Sequence, residues 1–483
     1  MHFAMVLRLL GLMVMGFSVT MLPPILVSAL YQDGHATPFA LSFAIVLAAG
    51  VILWWPARRV ERDLRRRDGF LLVALFWLVL GLAGSAPLLL TDRPALSYTD
   101  AVFEAVSGFT TTGATVLIGL ESLPKSLLWY RQQIEWIGGI GIIVLAIALF
   151  PVLGIGGMQI HKAETPGPVK EEKLTPRMTQ TAKSLWLVYA LLTGACAFAY
   201  WVAGMDIFDA IGHAFATVST GGFSNYDAKL AHFNSASVDA VAVLFMFLGG
   251  ANFATHFLFW RTRDWRTYPA DPQFRTYLAL TLALVAGVTG YLYASGTYPS
   301  LPLALRFGAL QAVSMQTTTG FVTAPFATWP GALPALLMLV TFVGGCAGST
   351  AGGMKVIRWQ LVVKQASEEL KRLVHPTAVL PVKFANRAVP GQVMAAVTGF
   401  FAIYLVLFGI MMVLLMATGV DQVSAWSAVA SSLNNAGPGL GAVAHDFRTL
   451  PETAKWVCIL AMLLGRLELF TLIVLVTPTF WRR

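Results

Sequence analysis

The sequence predicts an all-α polytopic membrane protein, in which four span–pore-helix–span repeats surround a pseudo-fourfold pore and two extra N-terminal transmembrane helices precede them. Three observations predict this fold class. Only 12% of the residues are charged and 57% are apolar, whereas a soluble domain carries about 25% charged residues. Apolar runs long enough to cross a bilayer follow one another along the whole chain. A polar segment that ends in glycine recurs between them.

Ten apolar runs are candidate membrane spans. They cover residues 9–30, 38–55, 70–90, 127–155, 184–204, 237–260, 276–294, 333–363, 393–417 and 455–479. The first run is too long for the core of a signal peptide, so it is predicted to be a true span. The run 333–363 is predicted to be the one broken span, because GGCAGSTAGG interrupts it and glycine costs about 1 kcal/mol relative to alanine in a helix.

The distribution of lysine and arginine predicts how the spans are oriented. Of the 33 basic residues, 25 fall on one side of the alternating spans, and the segment PARRVERDLRRRDG alone contains six arginines. Seven fall on the other side, and Arg466 lies within a span. The positive-inside rule therefore puts both termini in the cytoplasm. The net charge of +9 follows from this topology and does not indicate nucleic-acid binding.

Four segments of fourteen residues align without a gap and form an internal repeat. They read DAVFEAVSGFTTTG, DAIGHAFATVSTGG, FGALQAVSMQTTTG and SAWSAVASSLNNAG, and they end at Gly113, Gly222, Gly320 and Gly437. Each has a small residue six positions before its last glycine, and each lies between two spans on the side opposite the basic loops. The last eight spans are therefore predicted to form four copies of span, short re-entrant helix, polar turn and span.

The four polar turns are predicted to form a cation filter. Irregular backbone at membrane depth is tolerated where it lines a water-filled cavity, and in potassium filters backbone carbonyls replace the hydration shell of the ion. Glycine has no Cβ and lets the backbone turn a carbonyl inward. The alternative is a set of ordinary extracellular turns with glycine caps. The candidate filter residues are Thr111, Thr112, Gly113, Thr220, Gly221, Gly222, Thr318, Thr319, Gly320, Asn435, Ala436 and Gly437.

The broken run 333–363 contains a candidate gate below the third turn. A phosphate-binding loop of the GxxxxGK[ST] type does not fit the spacing, and a passive kink is the alternative. Arg466 belongs to this candidate gate because a charge inside a span is costly and indicates function. We expect Arg466 to point into the pore and to donate to carbonyls of the 344–353 loop, the alternative being a salt bridge to an acid on another helix. The candidate gate residues are Gly344, Gly345, Gly348, Gly352, Gly353, Lys355 and Arg466.

Several other polar residues fall within the repeat. Glu104 and His213 occupy the same column, with Gln311 in the third copy, and they either attract cations to an outer vestibule or only cap and solvate the short helices. Asp100 and Asp209 are predicted to be N-caps of these helices.

The sequence does not predict an enzyme. No arrangement of His, Cys, Asp and Glu indicates a metal site or a catalytic nucleophile. Cys196, Cys346 and Cys458 have neither ligand spacing nor a pairing pattern, and they are predicted to be small buried residues.

In its four polar turns and in the stretches named below, the chain resembles the membrane subunits of Trk-type potassium uptake systems, in the Trk/Ktr/HKT superfamily. The resemblance covers essentially the whole chain, and the two extra N-terminal spans favour the Trk branch over Ktr. After the turns, its most specific stretches are GGCAGSTAGGMKVIR at 344–358 and NNAGPGLG at 434–441. Glycine at the end of all four turns matches the potassium-selective pattern of the family. The fourth turn departs from the others, with NNAG in place of TTTG.

The resemblance implies partners and a location. We expect a homodimer with one pore per subunit in the bacterial inner membrane, and a cytoplasmic ring of nucleotide-binding regulatory subunits of the RCK/KTN type. Potassium would be the substrate, with rubidium as its mimic. No cofactor is expected on this chain, and the nucleotide is expected on the partner alone. The basic loops 161–183 and 355–390 are the expected docking surface for that partner.

The function predicted is potassium uptake through a single-chain, four-repeat filter, gated by the glycine-rich loop and by the partner. The alternative is a sodium- or proton-coupled potassium symporter on the same fold. Coupling usually involves buried ionisable relays or discontinuous helix pairs, and the sequence predicts only one broken helix. The predicted divisions are 1–56 for the two N-terminal helices, 57–160 and 161–265 for the first two repeats, 266–375 for the third with the gating loop, and 376–483 for the fourth.

Overall fold

The protein is described by a computed structural model that covers residues 2–60, 65–144, 174–378, 380–385 and 387–482. Within these ranges it is built of helices, apart from one antiparallel hairpin of β1 (Lys383–Phe384) and β2 (Arg387–Ala388). The end of the predicted span 127–155 and residues 161–173 of the predicted docking loop lie outside the described residues.

The helices form an N-terminal group followed by four groups that each contain one short, buried helix. The N-terminal group is α1 (Phe3–Ser18), α2 (Leu22–Tyr31) and α3 (Ala36–Trp54). The first repeat has α4 (Arg66–Gly84), α5 (Ala86–Leu90), α6 (Tyr98–Phe109) and α7 (Lys125–Val144). The second has α8 (Leu174–Val202), α9 (Ile207–Val218), α10 (Ala236–Gly249) and α11 (Phe253–Thr262).

The third and fourth repeats follow the same order. The third has α12 (Thr267–Ala270), α13 (Pro272–Ala294), α14 (Leu301–Gln316), α15 (Leu333–Val343) and α16 (Val356–Val374). The fourth has α17 (Gly391–Ala417), α18 (Gln422–Asn434), α19 (Glu452–Arg466), α20 (Phe470–Val476) and α21 (Pro478–Trp481). Short 3-10 turns link several of them, at Val19–Met21, Trp55–Ala57, Leu120–Ser122, Lys229–Phe233, Phe326–Thr328 and Gly441–Val443.

The short helices α6, α9, α14 and α18 lie at the centre of the molecule. Every residue of α6 from Ala101 to Phe109 is buried. This helix has 12 residues, so it extends about 18 Å, which is too short to cross a hydrocarbon core of about 30 Å. The other three have 12, 16 and 13 residues and are also too short. We call the four the pore helices.

Six helical stretches in the described residues are long and apolar enough to cross a membrane, or eight if each of two bent pairs counts as one span. The two remaining predicted spans are the fourth, 127–155, and the eighth, 333–363. They correspond to α7, which continues into residues that are not described, and to the short helix α15. The prediction of a single broken span is wrong. The spans of the second and fourth repeats are also broken, with bends of 95° between α10 and α11 and 112° between α19 and α20.

Local chemistry explains both bends. Asn252 caps the new helix α11, since its side chain accepts from the N–H of Ala254 at 2.9 Å. After α19, Glu468 and Leu469 have φ of 54° and 49°, a left-handed conformation that ends a right-handed helix. Composition alone predicts an unbroken apolar run in both places.

The pore-helix N-caps differ from the predicted ones. Ser97 and Asp206 are the caps of α6 and α9, and they accept from the N–H groups of Asp100 at 3.1 Å and Asp209 at 2.8 Å. The two predicted residues therefore lie three positions inside the helix, where their carboxylates have other partners. Asp100 forms an ion pair with Lys455 at 2.7 Å, and Asp209 accepts from Tyr226 Oη at 2.6 Å.

Two glycines allow the N-terminal helices to pack backbone against backbone. A Cβ atom at Gly11 on α1 would lie 2.6 Å from the backbone nitrogen of Trp54, and one at Gly50 on α3 would lie 2.8 Å from that of Met15. Gly16, on the same helix as Gly11, has no atom within 4 Å of such a position.

We therefore expect Gly11→Ala to lower the free energy of unfolding in detergent by about 1–3 kcal/mol, the usual cost of overpacking. Gly16→Ala is the matched control and should be neutral or slightly stabilising, because alanine favours helix more than glycine. Thermal unfolding of the two purified variants measures the difference. Equal stability would contradict the close packing of α1 on α3.

Candidate functional site

The four polar turns begin with the same C-terminal cap. The residue that starts each turn is left-handed, with φ of 52°, 54°, 56° and 53° at Thr111, Thr220, Thr318 and Asn435. Its N–H bonds to the carbonyl three residues back, at 2.8–3.2 Å, and the following N–H bonds to the carbonyl of the small residue near the helix end, at 2.8–2.9 Å. This pair of bonds is the Schellman motif. The small residues are Ser107, Ala216, Ser314 and Ser431.

The last glycines bring the turns together. The triplets 111–113, 220–222, 318–320 and 435–437 form what we call the ring. A Cβ atom at each last glycine would lie against a carbonyl oxygen of the next repeat. The contacts are Gly113 with Gly221 O at 1.9 Å, Gly222 with Thr319 O at 1.9 Å, Gly320 with Ala436 O at 2.3 Å, and Gly437 with Thr112 O at 2.8 Å. These contacts run from the first repeat to the fourth and back, so the ring closes within one chain.

The backbone of the ring suits cation binding. In each triplet the first and third residues have positive φ and the middle one does not. This alternation lets consecutive carbonyls face the same side of the chain, as in carbonyl-lined filters. The pore helices also point their C-terminal ends, which carry negative partial charge, toward the ring. All twelve predicted filter residues lie in this one ring and are buried.

Side-chain hydrogen bonds around the turns stabilise the ring. In the first and third repeats, the hydroxyls of Thr110 and Thr112, and of Thr317 and Thr319, lie 2.8 Å apart. The fourth turn uses amides instead. Asn435 donates from Nδ2 to Thr112 Oγ1 at 2.9 Å, so its side chain links the fourth repeat to the first. The departure from TTTG thus changes the support of the ring and leaves its backbone pattern unchanged.

A buried ion pair supports the first and second turns. Glu104 and Arg131 are 0% and 1% exposed and lie 2.7 Å apart. Glu104 also accepts from the N–H of Val116 at 3.0 Å, and Arg131 donates to the carbonyl of Ser224 at 3.1 Å. Sequence reasoning missed Arg131, although it carries the signal that singled out Arg466, a charge within an apolar run.

Glu104 and His213 do not face an outer vestibule. His213 is fully buried, and its ring nitrogens lie 2.9 Å from the Asp209 carbonyl and 2.9 Å from Ser224 Oγ. Both side chains bond within the protein instead, Glu104 to Arg131 and to the N–H of Val116, and His213 to Asp209 and Ser224. Another buried acid, Glu135, accepts from the N–H of Phe223 at 3.2 Å, directly behind the second turn.

The segment 344–355, which we call the intramembrane loop, lies against the inner side of the ring. The N–H of Gly352 donates to Thr318 Oγ1 at 2.6 Å, and the N–H of Gly353 donates to the carbonyl of Asn434 at 3.1 Å. A Cβ atom at Gly352 would lie 1.9 Å from that carbonyl oxygen. Gly344, Gly348 and Gly353 have φ of 70°, 75° and 71°, a conformation that favours glycine.

The loop is also bonded to the bent spans. The N–H of Cys346 donates to the carbonyl of Gly250 at 2.8 Å, and that of Phe253 donates to the carbonyl of Gly348 at 3.0 Å. Thr350 Oγ1 donates to the carbonyl of Gly249 at 3.0 Å. The loop is therefore hydrogen-bonded to the bend between α10 and α11, and Gly345 packs against the same bend.

Arg466 makes the predicted contact with the loop. Its Nη1 donates to the carbonyl of Thr350 at 2.8 Å, and the side chain is 3% exposed. Nε and Nη2 have no hydrogen-bond partner among the described residues. Glu468 forms an ion pair with Arg358, and Lys355 donates to the carbonyl of Ala351. The seven candidate gate residues are therefore close together.

Cavities on the two sides of the ring differ in size. The outer one has a volume of about 200 Å³ and is lined by Gly113, Gly222, Lys229 and His445 among others. The inner one, between the ring, the loop and Arg466, has a volume of about 10 Å³. A single water needs about 10–15 Å³, so this inner cavity holds one water at most.

The described residues contain no group of three or more His, Cys, Asp or Glu side chains that could hold a metal ion. The three cysteines are free and buried, as predicted.

Comparisons with known proteins agree with this architecture. The TrkH family model, described as a cation transport protein, matches residues 35–482. The Trk system potassium uptake protein TrkH of Halomonas elongata is 51% identical over 483 residues, and that of Escherichia coli K12 is 50% identical over 482 residues, with 100% of each chain covered. The crystal structure of the potassium transporter TrkH from Vibrio parahaemolyticus has a TM-score of 0.94 and 49% identity, over 100% of both chains.

The Glu104–Arg131 pair makes a prediction about stability. Arg131→Met should lower the free energy of unfolding by about 3–5 kcal/mol, because it leaves a carboxylate buried without its partner. Lys371→Met removes a lysine from an exposed pair with Glu368 and should change stability little. Unfolding in detergent measures both variants. If Arg131→Met proved no worse than Lys371→Met, the support assigned to this pair would be wrong.

Proposed function

This chain belongs to the TrkH family of cation transport proteins, and from that premise we propose that it takes potassium into the cell through the ring. The observation that carries the proposal is the closed set of contacts between each last glycine and a carbonyl oxygen of the next repeat. Such a ring offers carbonyl oxygens from four directions at one depth, which is the chemistry that binds a dehydrated potassium ion.

Uptake proceeds in three steps in this proposal. Potassium collects in the outer cavity and loses its water as the ring carbonyls replace it. The negative ends of the four pore helices stabilise the bare ion. It then passes the intramembrane loop and enters the cytoplasm. A membrane potential of about 100 mV, negative inside, favours this movement by about 2.3 kcal/mol per ion.

The intramembrane loop with Arg466 is the proposed gate. The small inner cavity and the bonds from Gly352 and Gly353 to the ring support a closed state. Arg466 adds a positive charge directly below the ring, and Lys355 adds a second at the same level. Opening would therefore need the loop to leave the ring and the arginine to move away from the path.

We also propose the assembly that the resemblance implies. The chain would form a homodimer in the inner membrane, with both termini in the cytoplasm and one pore per subunit. A ring of cytoplasmic nucleotide-binding subunits would control the loop. The described part of the proposed docking surface is the start of α8, helix α16 and the β1–β2 hairpin. Helix α16 connects directly to Lys355, so a force on this helix would reach the loop.

Rubidium uptake into proteoliposomes that contain this chain alone tests the proposal. Uptake that potassium inhibits and sodium hardly affects, without a sodium or proton gradient, is the expected result. Uptake that depends on such a gradient would favour the symporter alternative. Rubidium uptake that sodium inhibits as strongly as potassium would contradict the proposed filter.

Gly222→Ala should reduce this uptake at least about tenfold. Its Cβ would lie 1.9 Å from Thr319 O, so the ring cannot close, and an increase of about 1.4 kcal/mol in the transport barrier already gives that factor. Gly119→Ala is the matched control. Gly119 has a similar left-handed φ of 67°, and the atom nearest to a Cβ added there would be Ser122 Oγ at 3.5 Å. Equal loss of uptake in both variants would mean that backbone strain, and not ring closure, is responsible.

Arg466→Ala should increase rubidium uptake by the chain without its partner, because both the charge and the bond to Thr350 are lost. Arg466→Gln separates these effects, since glutamine can still donate to that carbonyl but is neutral. An increase in both variants would identify the charge as the barrier, whereas an increase in alanine alone would identify the hydrogen bond. Unchanged uptake and unchanged regulation in both variants would contradict the gate.

A further inference from the structure

A lysine side chain reaches the ring from its outer side. Lys229 begins the 3-10 turn Lys229–Phe233 of the second repeat, and its Nζ donates to the carbonyl oxygen of Gly320 at 2.9 Å. Gly320 is the last glycine of the third repeat, so the contact joins two neighbouring repeats. Lys229 also has φ of 51°, which is uncommon for a residue with a side chain. The sequence predicts no role for this lysine beyond its position on the outer side.

No carboxylate lies within ion-pair distance of this ammonium group in the described residues. Asp227, two residues earlier, instead accepts from the N–H groups of Gly119 at 2.7 Å and Leu120 at 3.1 Å. The ammonium charge is therefore neutralised by no acid and is bonded to a ring carbonyl. The titratable or charged groups around it are Tyr226 and Asp227 on its own segment, Arg131 and Glu135 from α7, and His445 and Asp446 after the turn Gly441–Val443.

The position of Gly320 makes this contact important for transport. Its carbonyl follows that of Thr319, a ring oxygen, along the chain, and its partner Lys229 lines the outer cavity. An ammonium group and a potassium ion have the same charge and a similar size, and carbonyl oxygens bind both. A set of carbonyl oxygens that binds a potassium ion can therefore also bind a lysine ammonium group.

We propose that the protonated Lys229 side chain occupies the outermost cation position of the ring and that each entering potassium ion displaces it. This inference rests on the proposed function of the ring. Lys229 would set the apparent affinity for potassium from outside, as a tethered competitor, while the ring carbonyls set the selectivity.

Initial rates of rubidium uptake by the full chain in proteoliposomes test this. Lys229→Met should reduce the half-saturating rubidium concentration by about tenfold, because one hydrogen bond to a charged group no longer has to be broken. Lys229→Arg keeps the positive charge, so it should keep the high half-saturating concentration.

Lys125→Met is the matched control, since Lys125 is on the same outer side and its Nζ lies 4.7 Å from the ring centroid of Phe208, away from the ion path. It should keep the half-saturating rubidium concentration of the wild type. Equal effects of Lys229→Met and Lys125→Met would mean that only surface charge is involved and would overturn the proposal. So would a Lys229→Met variant that keeps the affinity of the wild type.

A fold defect is distinguishable from either outcome, because Lys229→Arg preserves the contact and reports on the same site. Failure of the proposed function is also distinguishable. It would appear in the wild type, as uptake that potassium does not inhibit, whereas failure of the present inference leaves potassium-inhibited uptake intact in all four proteins.

Discussion

The structure depends on hydrogen-bond partners for the irregular backbone that lies at membrane depth. Four pore helices end inside the protein, where each exposed N–H or carbonyl would be costly. Each helix solves this with a Schellman cap that uses the N–H groups of its first two turn residues. The middle carbonyl of each turn is then free to meet the last glycine of the neighbouring repeat. Capping and ring formation are thus one arrangement, repeated four times, and it requires glycine at each closing position.

The intramembrane loop is bonded to three of the four repeats. Gly352 and Gly353 donate hydrogen bonds to Thr318 of the ring and to Asn434, the residue before the fourth turn. Other residues of the loop bond to the bend between α10 and α11. The loop also accepts a hydrogen bond from Arg466, beside the bend between α19 and α20. These bonds must break together when the loop moves. A movement that starts at α16 therefore competes with all of them, which favours two discrete states over a gradual opening.

The ring could be predicted from the sequence because its four segments align without a gap and each ends in glycine. The contacts between repeats could not, since the partners lie far apart in the chain. The bend at Glu468 was missed because an apolar run carries no sign of a left-handed residue. The bend at Asn252 was missed because one asparagine within an apolar run does not by itself indicate the start of a new helix. For the N-caps, Ser97 and Asp206 stand three residues before Asp100 and Asp209, so two positions in each segment fit the preference and sequence alone does not separate them. The contact of Lys229 depends on the path of a turn that no pattern predicts.

The central claim is that the four turns form one cation site within a single chain. Anomalous X-ray diffraction from crystals grown with rubidium in place of potassium tests it most directly. The account predicts a rubidium peak on the axis of the ring, within bonding distance of carbonyl oxygens from all four repeats. Rubidium bound elsewhere in the protein, with the ring carbonyls turned away from the axis or bonded to one another, would contradict it.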